Sequence, residues 1–313
     1  MDKGIKLFAG NAHPKLAADI ADSLNLPLGD ITINRFSDGE SFVRIEENIR
    51  GYDVFVLQPT CPPVNDNILE LLIMLDAFRR ASARRVTVVI PYYGYARQDR
   101  KDQPRVPISA RLMANIIETA GADRILAMDL HADQIQGFFD KPLDHLYAAP
   151  IFVNYLKKKK QEGDMIVVAP DVGAIKMARA FAKKLGVDLA VVDKRRLNST
   201  DAEVMNILGE VKGLSAVIVD DMVATAGSLV GAAQAIKDKG AKDVMAAITH
   251  PVLVGSAIDR IKNSCLSKLI VADTIPIADE KMIDKIQILS VAGLLGEAIE
   301  RIHNDESVSS LFI

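Results

Sequence analysis

Cysteine is nearly missing from this chain. Only Cys61 and Cys265 occur in 313 residues, far apart and in no metal or redox spacing. That excludes a disulfide framework and favours a reducing compartment. Long apolar stretches are missing too. Nothing reaches the ~18 uninterrupted apolar residues of a membrane span, and the opening MDKGIKLFAGNAH lacks the basic-then-apolar pattern of a secretory signal. A soluble, cytoplasmic protein with no membrane partner is expected. An excess of one charge is absent as well: 38 Lys and Arg stand against 41 Asp and Glu, net −3, which argues against a dedicated nucleic-acid binder. The run Lys157 to Lys160 reads as the solvated C-terminal end of a helix.

Familiar catalytic signatures are also lacking. No Gly is followed by Lys, so there is no Walker A loop, and G-x-G-x-x-G, H-E-x-x-H and G-x-S-x-G are absent. A nucleotide, if bound, is bound by another route.

The chain does contain short Val- and Ile-rich runs alternating with helix-period segments. Strands are expected at Ile5–Ala9, Val54–Leu57, Val86–Ile90, Ile125–Met128, Ile166–Ala169, Leu189–Val192, Val217–Val219, Val244–Ile248 and Leu269–Ala272. Their lack of polar alternation suits strands buried on both faces. Helices are expected at Asp66–Ala83, Ile108–Ala120, Ile151–Lys160, Ala174–Leu185, Ser228–Lys239 and Gly255–Lys262, several ending at a glycine that fits a C-cap. This order predicts an α/β fold of two similar domains, each a mainly parallel sheet flanked by helices. The better-alternating Ile31–Ile45 is expected to form a small antiparallel flap. The domains are placed at 1–146 and 147–303, with 304–313 a tail packing back on the first.

One string stands out: Val217-Ile-Val-Asp-Asp-Met-Val-Ala-Thr-Ala-Gly-Ser228. A buried strand ends in Asp220 and Asp221, and a loop of small residues, Ala224, Thr225, Ala226, Gly227 and Ser228, opens a helix. Ligands of α/β sheets bind outside the carboxyl ends of the strands, and free N–H groups at a helix start suit a phosphate. An ordinary strand-to-helix turn with an N-cap residue is the alternative. Elsewhere, His131 follows the run Ile125–Met128 and Asp171 follows Ile166–Ala169. Either could be structural, one a satisfied histidine and the other a turn aspartate. Asp193-Lys-Arg-Arg196 is a strand end or a solvated cationic surface. Arg97 to Arg105 reads as a mobile cationic loop broken by Pro104 and Pro107.

The string resembles the phosphoribosyl-diphosphate motif of type I phosphoribosyltransferases. Taken with Phe36-Ser-Asp-Gly-Glu40, Pro91-Tyr-Tyr-Gly-Tyr-Ala-Arg-Gln-Asp-Arg100, Met128-Asp-Leu-His-Ala-Asp-Gln-Ile-Gln-Gly137, Val192-Asp-Lys-Arg-Arg196 and Thr249-His-Pro251, nearly the whole chain is similar to the ribose-phosphate diphosphokinase branch of that superfamily. The resemblance implies Mg2+-dependent diphosphoryl transfer from ATP to ribose 5-phosphate. It implies that Lys194 and Arg196 are catalytic, and that Phe36, Asp38, Gly39, Glu40, Arg97 and Gln98 bind ATP, the first four packing on adenine from a neighbouring subunit. Arg196, Asp220, Asp221 and Ala224 to Ser228 would bind ribose 5-phosphate, with His131 and Asp171 at the metal. A homo-oligomer is implied, a hexamer built from dimers. Ala224 departs from the family, in which many members carry Asp. That weakens the alternative of a base-joining phosphoribosyltransferase more than it weakens a synthetase. A catalytically silent regulatory subunit is the remaining alternative.

Overall fold

In the computed structural model, which describes residues 4–160, 164–195 and 204–312, the Val- and Ile-rich runs become the strands of two sheets. The chain divides into two compact units: unit 1 is Met1–Tyr147 with Thr274–Pro276 and Ser290–Ile313, and unit 2 is Ala148–Asp273 with Ile277–Leu289.

Unit 1 begins with β1 (Ile5–Ala9), α1 (Pro14–Ser23) and the antiparallel pair β2 (Ile31–Arg35) and β3 (Ser41–Ile45). It continues through β4 (Asp53–Leu57), α2 (Val64–Arg80), β5 (Arg85–Ile90), α3 (Ser109–Ala120), β6 (Arg124–Met128) and β7 (Leu143–Leu146). The five-stranded sheet has the order β1-β4-β5-β6-β7 and every pairing in it is parallel. All five residues of β4 are buried, so helices must cover both faces. Phe8 and Phe78 pack with ring centroids 4.9 Å apart, where α2 meets the sheet.

Unit 2 runs α4 (Ala149–Lys160), β8 (Met165–Ala169), α5 (Ile175–Leu185), β9 (Asp188–Arg195), β10 (Val204–Leu208), β11 (Ser215–Val223), α6 (Gly227–Asp238), β12 (Asp243–Pro251), α7 (Ala257–Lys262), β13 (Lys268–Ala272) and β14 (Ile286–Leu289). Its seven strands have the order β10-β9-β8-β11-β12-β13-β14, with only β10 antiparallel to its neighbour. Helix α5 stops at Gly186, whose left-handed φ of +62° a residue with a Cβ adopts at a cost.

The expected division differs from the observed one at the C-terminal side. Helix α8 (Ala292–His303), placed by sequence in the second domain, belongs to unit 1. Two contacts explain the return. Gly296 lies so close to Ser23 that a Cβ there would collide with its Oγ, which lets α8 lie against α1. At its far end, the fully buried carboxylate of Asp53 takes a 2.9 Å bond from His303 Nδ1 and a two-pronged pair from Arg85, which also donates to the Ile302 carbonyl at 3.0 Å. Helix α1 was not expected either, although Pro14 at its first turn and His13 capping Leu16 N at 3.2 Å are ordinary start signals. Among the described residues, no helix is long and apolar enough to cross a membrane.

Candidate active site

Strand β11 lies between β8 and β12, buried from Ala216 to Val219, and emerges at Asp220 and Asp221. Register pairs Ile218 with Val168 and Ala246, so the acids sit at the carboxyl end of the sheet, where a parallel arrangement leaves a crevice. The loop that follows turns its carbonyls toward neighbours. Val223 O accepts from Leu253 N at 3.1 Å, Ala224 O from Val254 N at 3.0 Å, and Thr225 O from Arg260 Nη1 at 3.0 Å. Ala226 then enters the left-handed region at φ +60° and becomes the N-cap of α6 without supplying a side-chain acceptor. The first-turn N–H groups therefore remain uncapped, forming an anion cradle at the positive end of the helix dipole. Thr225 and Ser228 are exposed beside it.

The charge around this cradle is unusual. Asp220 is pushed up to about 8, first by burial, then by the negative charges of Asp221 and Asp171. Asp171 follows β8, and its Oδ1 accepts from Ala174 N at 3.2 Å. The structure thus brings Asp171, Asp220, Asp221 and the 224–228 loop into one neighbourhood of unit 2. The strand β9 carries Lys194 in its backbone, but the Lys194 side chain and the whole of Arg196 lie outside the described residues.

Unit 1 has a cavity of about 490 Å3, lined by Arg97, Gln98, Arg100, His131 and Gln134 among others. Two segments about thirty residues apart in sequence meet here, one following β5 and the other following β6. Gln98 is fixed by Ser109 at the start of α3, whose Oγ donates to Gln98 Oε1 at 2.6 Å, so the amide nitrogen is left to donate elsewhere. Gln134 Nε2 donates to Asp99 Oδ2 at 2.6 Å across the cavity wall. Ser109 was not singled out by sequence. Asp99 and Gln134 each lay inside a quoted string, but they are 35 positions apart and no spacing rule links them.

Phe36, Asp38, Gly39 and Glu40 form the turn between β2 and β3 and do not line the cavity. Phe36 N donates to Glu40 O at 2.8 Å, Asp38 Oδ1 accepts from Glu40 N at 3.2 Å, and half-exposed Phe36 meets Phe42 edge-on. His131 lies in unit 1 and Asp171 in unit 2. Among the described residues, no three His, Cys, Asp or Glu side chains converge as a metal cage.

Comparison with known proteins gives a consistent result. Residues 5–121 match the model of the N-terminal domain of ribose phosphate pyrophosphokinase, and residues 196–313 match the phosphoribosyl synthetase-associated domain. The chain is similar to the ribose-phosphate pyrophosphokinase of Burkholderia pseudomallei, 56% identical over 311 residues, covering 99% of this chain and 98% of that one. It is 54% identical to that of Clostridium acetobutylicum, also over 311 residues, with the same coverage of both chains. A crystal structure of phosphoribosylpyrophosphate synthetase from Mycobacterium smegmatis superposes with a TM-score of 0.92 at 43% identity, covering 97% of this chain and 100% of that one. With two family models and near-full-length relatives in agreement, the chain belongs to the ribose-phosphate pyrophosphokinase family of enzymes.

Proposed function

We propose that this enzyme transfers the diphosphoryl group of ATP to the 1-hydroxyl of ribose 5-phosphate, yielding 5-phosphoribosyl 1-diphosphate and AMP. The observation that carries the reading is the uncapped start of α6 beside an acid pair. A sugar phosphate needs both features: N–H and hydroxyl donors for its phosphate, from Thr225 to Ser228, and carboxyl oxygens that accept from its ring hydroxyls, those of Asp220 and Asp221. The cavity of unit 1 supplies the complementary chemistry. Arg97 and Arg100 offer cationic partners to polyphosphate oxygens, and Gln98 offers an amide donor held in place by Ser109. The adenine is assigned to the Phe36 turn of a neighbouring subunit, within a homo-oligomer built from dimers that sedimentation tests.

In the transfer, the sugar O1 attacks the β-phosphorus in line. An O–P bond forms, the bond from that phosphorus to the α-phosphate oxygen breaks, AMP leaves, and the hydroxyl proton passes to solvent. Positioning and charge neutralisation do most of the work in this class, and Lys194 and Arg196 are assigned to that charge. The donors present fit magnesium. Asp220 holds its proton because it is buried beside two further hard-oxygen carboxyls, and magnesium takes one or two such groups and completes its shell with water and phosphate rather than needing a protein cage. Asp171 in unit 2 and His131 in unit 1 are each assigned to magnesium, which would neutralise phosphate oxygens.

Phosphorus NMR of the enzyme with Mg2+, ATP and ribose 5-phosphate tests the reading. AMP and a sugar diphosphate are expected. ADP would instead mark an ordinary kinase, and unconsumed ATP a base-joining transferase or a silent subunit.

A further inference from the structure

The turn that carries His131 is gripped from behind by a residue with no part in the reaction just described. Asp129, at the end of β6, sits at φ +38°, a left-handed conformation that a residue with a Cβ adopts only when its surroundings enforce it. Two bonds from β7 do so. Asp129 N donates to Leu146 O at 2.9 Å, and Leu130 N donates to the ring Nε2 of His145 at 2.8 Å. The second is a side-chain bond to the amide immediately before His131, and both partners are buried.

A ring nitrogen that accepts carries no proton, so the imidazole proton lies on Nδ1. That atom faces Asp133 Oδ1 at 3.9 Å, and Tyr147 donates its hydroxyl to the same oxygen at 3.3 Å. Burial and then the charges of Asp133 and Asp129 push the Tyr147 hydroxyl up to about 12, which keeps it a donor at neutral pH. The rings of His145 and Tyr147 pack with centroids 4.4 Å apart. Asp133 opens the 3-10 turn Asp133–Phe138 that holds Gln134, the residue bonded to Asp99 on the far wall of the cavity. The same buried imidazole therefore holds the His131 turn directly and lies beside Asp133, which opens the segment bonded to Asp99.

We infer that His145 is a positioning residue for the nucleotide cavity, holding the His131 turn by accepting the Leu130 amide; this rests on the reading of that cavity as the ATP site. Its role depends on an acceptor at the Nε2 position, not on bulk. That separates two substitutions: His145→Gln offers a carbonyl oxygen near the same place, whereas His145→Leu fills much of the volume and leaves a buried N–H unpaired.

Initial rates as a function of ATP and of ribose 5-phosphate test this, together with amide hydrogen exchange of the peptide spanning 129–132. In His145→Leu the KM for ATP should rise about tenfold, the scale of a buried amide left without its acceptor. The KM for ribose 5-phosphate should stay within roughly twofold, and exchange at 129–132 should quicken. His145→Gln should restore both properties. A Leu variant with unchanged ATP KM and unchanged exchange, or a Gln variant as impaired as Leu, overturns the assignment. If His145→Leu does not fold, His145→Asn replaces it, since its shorter amide puts no acceptor at the Nε2 position; it should raise the ATP KM about tenfold, and no rise overturns the assignment. Should the unaltered enzyme form no AMP, the reaction reading fails, while the exchange comparison still decides whether His145 holds the turn.

Discussion

Asp220 keeps its proton up to about pH 8 because burial and two neighbouring acids oppose its charge. The unfolded chain releases that proton near the ordinary value of 3.8. Between those limits the folded state therefore binds more protons than the unfolded one, and the group's contribution to stability falls as pH rises through the window. Asp220→Asn removes this dependence. Melting curves of the ligand-free proteins should differ least near pH 4 and diverge toward pH 8, the variant melting higher by ~2–4 °C for each kcal/mol relieved in a chain this size. Parallel curves would show that the acids do not crowd one another. Ser109 gives a second prediction: Ser109→Ala frees the Gln98 amide to rotate and should raise the KM for ATP about fivefold, the worth of one hydrogen bond, with kcat nearly unchanged. Ser109→Thr should retain the unaltered value in the same initial-rate assay. Gln98 was legible in the sequence because it sits in a distinctive string. Ser109 was not, since a spacing of eleven residues across a loop carries no geometric rule.

The strand–loop–helix element from β11 to α6 was the most legible part of the site, and for a physical reason. A buried run, an acid pair and a stretch of small residues each restrict the backbone, and together they leave few conformations. The left-handed turn at Ala226 was not anticipated, because alanine does not favour it. Ala226→Val should distort that turn, since alanine already bears about 1–2 kcal/mol of left-handed strain there and a β-branched residue at positive φ adds to it. The KM for ribose 5-phosphate should rise about tenfold on that basis while the KM for ATP holds, as isothermal titration or initial rates can check. Helix α8 shows the opposite case. Its apolar face is interrupted by Gly296, which hides the period, and the reason for Gly296 is the nearness of Ser23, almost the whole chain away. Asp53→Ala would leave Arg85 and His303 facing a buried void and should cost about 3 kcal/mol, read as a lower urea midpoint. No loss would mean that the Asp53 cluster does not hold the helix.

Periodicity and residue type identified the α/β class, the parallel strands and the antiparallel flap, because each follows from local chain physics. They could not say which unit a helix joins, since amphipathic patterning states that a face is buried without naming what buries it. The same limit explains why the convergence of 97–100 with 131–134 in one cavity had no signature. Unit 1 depends on Ser290–Ile313 in a way that gives a prediction of its own. Deleting residues 290–313 should strip hydrogen-exchange protection from β1, β4 and α1 while β8 and β11 of unit 2 keep theirs. Equal protection in both units would show that the C-terminal helix is dispensable.

The same return of α8 sets a timetable for synthesis. Although α1 and β1 are made before any of unit 2, the helix that covers them is translated after it, when everything through Leu289 that unit 2 needs has already emerged. Unit 1 must therefore wait, with one flank of its core bare, until α8 has followed unit 2. This reverses the usual order in which domains settle as they are made, so growing cells have more reason to shield unit 1 than unit 2.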